Sequence, residues 1–157
     1  MAALLGNLGM LVGSVGIFPG FFHLSTEPAT SLQIVTLTTV GVVGVLSFIR
    51  HVVFHKSDAA RLGWQTDRPD WMFEVGFANL SFGLMGMVTA CLPRSSTAQA
   101  VVLSGYSCYL FQAALLHGYR YFTETAKSPS RLWRCCIATL LYALAMAFFA
   151  TVGFALD

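Results

Sequence analysis

The chain has 157 residues, of which 56% are hydrophobic and only 10% are charged, and its formal net charge is +2. This composition lies outside the range of ordinary soluble domains and indicates an integral membrane protein. The small net charge, with nine Lys and Arg residues confined to short connections, excludes a nucleic-acid-binding face. We therefore expect the partners to be the lipid bilayer and, within it, other membrane proteins or further copies of this chain.

Five apolar stretches of about 20 residues are each long enough to cross a hydrocarbon core roughly 30 Å thick. Turn-forming and charged residues separate them. The sequence therefore predicts an all-α fold, with residues 1–157 forming one integral-membrane helical domain of about five spans. The predicted spans are residues 4–22, 32–54, 71–92, 98–122 and 132–154.

The first span is the least regular, because several glycines and Pro19 lower its helix propensity. A signal peptide is the alternative interpretation, but the segment has no basic start. We therefore expect an uncleaved first helix. Its small residues would suit lateral association with another helix.

Basic residues concentrate at the second and fourth connections, which by the positive-inside tendency places both in the cytoplasm. Five spans then give a cytoplasmic amino terminus and an external carboxyl terminus. Trp64, Trp71 and Trp133 fall at the same connections, as expected for indoles at the headgroup layer. The basic residues are Arg50, Lys56, Arg61 and Arg68, then Arg120, Lys127, Arg131 and Arg134, while the third connection carries only Arg94.

Four ionisable residues lie at one depth near this cytoplasmic boundary: His51, His55, Glu74 and His117. His51 and His117 come roughly 5 Å before it and Glu74 about as far after it, at 1.5 Å per residue. An ionisable group within hydrocarbon usually faces protein or water and has a partner. We therefore expect a polar pocket bounded by the second, third and fourth helices. Its predicted residues are His51, Glu74, Asn79 and His117, with Ser47 and Ser81 behind them.

Two details of this pocket stay open. Asn79 points about 140° away from Glu74 on an ideal helix. An alternative to its place in the pocket is therefore that Asn79 bonds across a different helix interface. Glu74 could also simply pair with Arg50 or a histidine and so hold three helices together, a structural role without chemistry.

Three functional hypotheses compete. The leading one is a non-enzymatic membrane module, either a subunit of a larger membrane assembly or a small-ligand binder. The second is a membrane metalloprotein or redox component with a transition metal such as zinc, iron or manganese as cofactor, because imidazoles and carboxylates suit these ions. The metal ligands would be His51, His55, Glu74 and His117, although His55, beside Lys56, also fits a solvated surface histidine.

The third hypothesis is a small proton-coupled carrier that uses the same groups as a relay. The lack of paired inverted segments with broken helices speaks against it. No phosphate-binding glycine loop, nucleophile elbow or HExxH helix is present in the sequence. Whether the chain is an enzyme is therefore left open.

A motif in the middle of the chain resembles a family of small bacterial multi-pass membrane proteins of unknown function. It comprises RLGW at 61–64, Pro69, EVGFANL at 74–80 and FGLMG at 82–86. The resemblance implies a multi-pass fold in a bacterial membrane, here the inner membrane, and implies no reaction. It draws attention to His51, Glu74, Asn79 and His117, while Arg50 and Gln65 depart from the pattern, which usually has Gly and often Pro there.

Overall fold

The computed structural model describes residues 1–64, 67–92, 96–124 and 129–156. Within these residues the chain forms six helices and no strand. Gln65, Arg94 and Lys127, which entered the sequence predictions, lie outside them. The helices are α1 (Ala2–His23), α2 (Pro28–Val53), α3 (His55–Leu62), α4 (Asp70–Cys91), α5 (Ser96–Thr123) and α6 (Pro129–Phe154).

Every helix except α3 is long and apolar enough to span a membrane. This confirms the predicted all-α bundle of five candidate transmembrane spans, each of whose ends lies within four residues of its predicted position. The first span is one uninterrupted helix despite its glycines and Pro19. The chain is thus a multi-pass helix bundle.

Helix α2 lies at the centre of the bundle. It packs against α1 on one side and α4 on the other, and its first half also contacts α5 and α6. Helices α2 and α4 form the most extensive pair, and α5 packs nearly as extensively against α6. Because α2 contacts all the other spanning helices, a polar group on it is reachable from several directions.

The backbones of α2 and α4 touch through glycines. A Cβ atom placed on Gly44 would lie only 2.7 Å from the carbonyl oxygen of Asn79. One on Gly86 would lie 2.8 Å from the backbone nitrogen of Gly41. Any larger side chain at these positions would force the helices apart, so glycine sets their separation.

The glycines of α1 also pack within the chain. Gly13 lies against the ring of Tyr142, and Gly16 against the side chain of Thr38. The middle part of the small-residue face that the sequence suggested for lateral association is therefore covered by α2 and α6.

The apolar core lies at the end of the bundle opposite His51. Its side chains come from α2, α5 and α6, and most of them are fully buried. Ser31 near this core donates from its hydroxyl to the carbonyl of Gly20 at 2.6 Å, which satisfies the hydroxyl away from water. The core comprises Leu32, Val35, Val40, Val102, Leu103, Tyr106, Met146, Phe149 and Ala150.

Candidate functional site: a cationic cavity

The other end of the bundle, called here the basic end, holds the carboxyl ends of α2 and α5, the start of α4 and α6, and all of α3. The segment between α2 and α4 was expected to be a charged connection. Its first part instead forms α3, which buries Asp58, Ala59 and Leu62. Helix α3 ends at Gly63, whose φ of 72° is the left-handed conformation that glycine adopts readily at helix ends.

Asp58 is the centre of a buried charge cluster. It is fully buried, and Arg61 donates to its Oδ1 through Nε at 3.1 Å and through one terminal nitrogen at 2.9 Å. Nδ1 of His51 lies 2.9 Å from its Oδ2, and Nε of Arg50 lies 3.7 Å from the same oxygen. Two guanidinium groups therefore share one carboxylate.

The wide helical turn at Ile49–Val53 brings both Arg50 and His51 into this cluster. It is π-helical, and the N–H of Phe54 bonds the carbonyl of Ile49, five residues back, at 3.2 Å. Arg50 donates to Nε2 of His51 at 2.9 Å. Since Nε2 accepts, the proton of a neutral His51 lies on Nδ1, facing Asp58.

The contacts to Oδ2 are short but poorly aligned. Within the described residues, Nε of Arg50, Nδ1 of His51 and Oδ2 of Asp58 make no well-directed hydrogen bond. Charge attraction more than directed bonding therefore holds this side of the cluster, and Nε of Arg50 keeps a donor available.

Asp58 is ionised at every physiological pH. Burial alone would raise its pKa, but the imidazole of His51, 2.9 Å away, and the positive charge of Arg50 and Arg61 outweigh this effect and lower the pKa to about 2. The carboxylate is thus a permanent negative charge between two permanent positive charges.

A cavity of about 760 Å³ lies beside this cluster, between α4 and α5. Its volume is in the range of small-molecule sites. Arg50, His51 and Arg61 form its charged wall. Facing side chains include Ser47, Trp71, Asn79, Tyr109, His117 and Arg120.

Trp64 forms another wall of this cavity. Its ring stacks on His117 with centroids 4.9 Å apart and planes 12° apart, and the Arg120 guanidinium lies 5.6 Å from its centroid. The indole N–H donates to Glu124 at 3.3 Å. Glu124 also accepts from Arg131 at 2.8 Å and lies 3.7 Å from Arg120, so this wall too combines one carboxylate with two guanidiniums.

Asn79 lies at the deep end of the cavity. The hydroxyl of Tyr106 donates to its Oδ1 at 2.8 Å, and its Nδ2 donates to the hydroxyl of Tyr109 at 3.0 Å and to the carbonyl of Val75 at 2.8 Å. Asn79 therefore bonds across the α4–α5 interface, as the alternative interpretation of its helical angle allowed.

The structure brings together four of the six predicted pocket residues. His51, Asn79, His117 and Ser47 line the cavity. Glu74 and Ser81 are exposed instead, and Ser81 donates to the carbonyl of Phe77. The acid beside His51 is Asp58, and the same acid, not Glu74, pairs with Arg50.

The proposed metal ligands are not assembled. His55 makes a 2.9 Å contact from Nδ1 to the carbonyl of Val52 and places its ring edge on Phe73. Among the described residues, no group of three or more His, Cys, Asp or Glu side chains is placed to hold a metal ion. The geometry gives the metal hypothesis no support.

Asp58 and Arg61 are the functional candidates that the sequence interpretation missed. Asp58 follows His51 by seven residues, which is two helical turns, and precedes Arg61 by three, a spacing at which side chains interact. Asp58 and Arg61 both fall between the predicted spans 32–54 and 71–92, in a connection where a helical spacing is not expected.

Comparison with known proteins gives a family without a function. A family model described as "Family of unknown function (DUF6790)" matches residues 4–153. No curated protein and no solved structure matches the chain.

Proposed function

The chain belongs to the family of unknown function DUF6790, and we propose that it is a non-enzymatic membrane protein that binds a small anionic ligand in the cavity at the basic end. One observation carries the proposal. Arg50 and Arg61 share the single carboxylate of Asp58 at the cavity wall.

The charge balance of the cavity favours an anion. Within the described residues, the buried cluster has two guanidiniums, those of Arg50 and Arg61, for the one carboxylate of Asp58. Leaving a charge unpaired away from water costs several kcal/mol. A bound carboxylate or phosphate would offset the excess, and the planar guanidinium matches both groups in a bidentate arrangement.

The histidines are better explained as parts of the wall than as reacting groups. His51 is held between Arg50 and Asp58, and His117 stacks on Trp64. A subunit of a larger assembly, a metalloprotein and a proton-coupled carrier are the alternative hypotheses. The cationic cavity supports ligand binding more directly than any of them.

We place the basic end on the cytoplasmic side of a bacterial inner membrane. Its arginines favour that side, and the indoles of Trp64 and Trp71 suit the headgroup layer there. The amino terminus lies at the same end, since the backbone nitrogen of Ala2 contacts Oγ of Ser57 at 3.5 Å. This orientation therefore puts the amino terminus in the cytoplasm.

Thermal unfolding in a neutral detergent tests the proposal. Sodium phosphate or acetate, compared with chloride at equal ionic strength, should raise the melting temperature, because a ligand present at 100 times its Kd stabilises the folded state by about 2.7 kcal/mol. The absence of any anion-specific shift in the wild-type protein would overturn it.

Two variants locate the binding site, and one controls for charge. Arg50→Gln should abolish the shift. Arg120 is half-exposed, so its substitution should disturb folding less. Arg120→Gln should weaken the anion-specific shift in melting temperature. Lys56→Gln removes the same charge from an exposed position outside the cavity lining and should leave the shift unchanged.

A further inference from the structure

A second void opens on the other side of the same arginines. It is a groove of about 470 Å³ between α1 and α6, called here the α1–α6 groove. Arg50, Arg61 and His117 border both this groove and the cavity. The guanidiniums that favour an anion are therefore reachable from the lipid side as well.

The groove is bounded at both ends by contacts between α1 and α6. At the basic end, Arg134 donates a hydrogen bond to Asn7. At the opposite end, the ring of Phe21 stacks on Phe148, with centroids 5.5 Å apart. Between these contacts Gly13 meets the ring of Tyr142, which lines the groove, whereas a Cβ atom on Gly9 would meet nothing within 4 Å.

The groove changes from cationic to apolar along its length. At one end, a guanidinium nitrogen of Arg50 lies 3.5 Å from the position of a Cβ on Gly6. Farther along α1 the lining includes Met10, Ile17 and Phe18. The distance along α1 from Gly6 to Phe18 is about 18 Å at 1.5 Å per residue, slightly more than half of a hydrocarbon core of about 30 Å.

We propose that the α1–α6 groove holds the acyl chain of a single-chain carboxylate amphiphile whose head group binds at Arg50 and Arg61. This inference rests on the proposed function and names its ligand class. Charge complementarity places the head group at the arginines, and the apolar lining, which runs about the depth of one leaflet, accommodates the chain.

Binding of radiolabelled dodecanoate and butyrate to the protein in phosphatidylcholine nanodiscs tests this inference, with empty nanodiscs as the blank. Wild type should bind dodecanoate at least tenfold more tightly than butyrate. Dodecyltrimethylammonium, with the same chain and the opposite charge, should not compete with dodecanoate.

Filling the groove separates the chain site from the anion site. Gly9→Phe should lower dodecanoate affinity at least tenfold and leave butyrate binding unchanged. Leu11→Phe adds bulk at an exposed position on the same helix, outside the groove lining, and should change neither. Ser14→Phe, also in the groove lining, provides a second blocking variant if Gly9→Phe fails to fold.

The outcomes distinguish the two proposals. If butyrate and phosphate bind but dodecanoate binds no more tightly, or if both groove variants bind dodecanoate like Leu11→Phe, the acyl-chain inference is wrong and the anion site stands. If none of the anions binds wild type, both proposals are wrong.

Discussion

The two ends of this bundle fill their interiors in opposite ways. At one end Leu32, Met146 and Phe149 pack with no exposed surface. At the basic end, Arg50, His51 and Arg61 line open volume. Since buried charge does not stabilise a fold by itself, the comparison indicates that close apolar and glycine packing holds the bundle while the charged end is free to form a site.

The largest effect should come from the packed α2–α4 contact. Gly44→Leu places a side chain where a Cβ already meets backbone at 2.7 Å, so we expect loss of the folded bundle, measured as aggregation on size-exclusion chromatography. Gly9→Leu, where a Cβ meets open space, should elute and melt like wild type. A Gly44→Leu protein as stable as wild type would contradict this expectation, because close packing between α2 and α4 would then not be required for the folded bundle.

The next largest effect should come from the charged end. Asp58→Asn leaves Arg50 and Arg61 without their shared carboxylate, so the free energy of unfolding should fall by about 3–5 kcal/mol. Chemical denaturation in mixed micelles measures it, with exposed Asp67→Asn as the control. Phosphate should stabilise the variant more than it stabilises wild type. Equal stability of variant and wild type would show that the cluster is not coupled to folding.

Acid should weaken the basic end selectively. The pKa of Asp58 falls from 3.8 to about 2 on folding, so its contribution is present above the unfolded value and disappears as the pH drops through the folded one. This difference of about 1.8 in pKa corresponds to about 2.4 kcal/mol at 1.36 kcal/mol per pKa unit. Unfolding measured from pH 6 to pH 2 should show this loss in wild type, and a matching loss in Asp58→Asn would assign it to another group.

The smallest effect should lie at the boundary between the two ends. Tyr106→Phe removes the donor to Asn79 and should cost about 1 kcal/mol of unfolding free energy, with ligand affinity nearly unchanged. Exposed Tyr119→Phe is the control. If anion binding fell by more than tenfold in Tyr106→Phe, a residue of the apolar core would contribute to the anion site, and the two ends would not be separate in function.

The cavity itself was only partly predictable. His51 and His117 stood out because ionisable residues are rare within apolar stretches, and Asn79 stood out in the EVGFANL motif. Glu74 met the same criterion, yet its side chain is exposed. Depth along a helix follows from residue number, whereas the direction a side chain faces depends on which neighbours the helix meets.

The amino-acid sequence by itself determined the all-α fold class and the presence of five helices long and apolar enough to span a membrane, because the length of an apolar stretch is a local property of the sequence. Only the tertiary structure decided which acid pairs with His51. Asp58 belongs to a segment too polar and too short to be recognised as part of the bundle. Its burial depends on α3 folding back against α1 and α2, which no single stretch of sequence encodes.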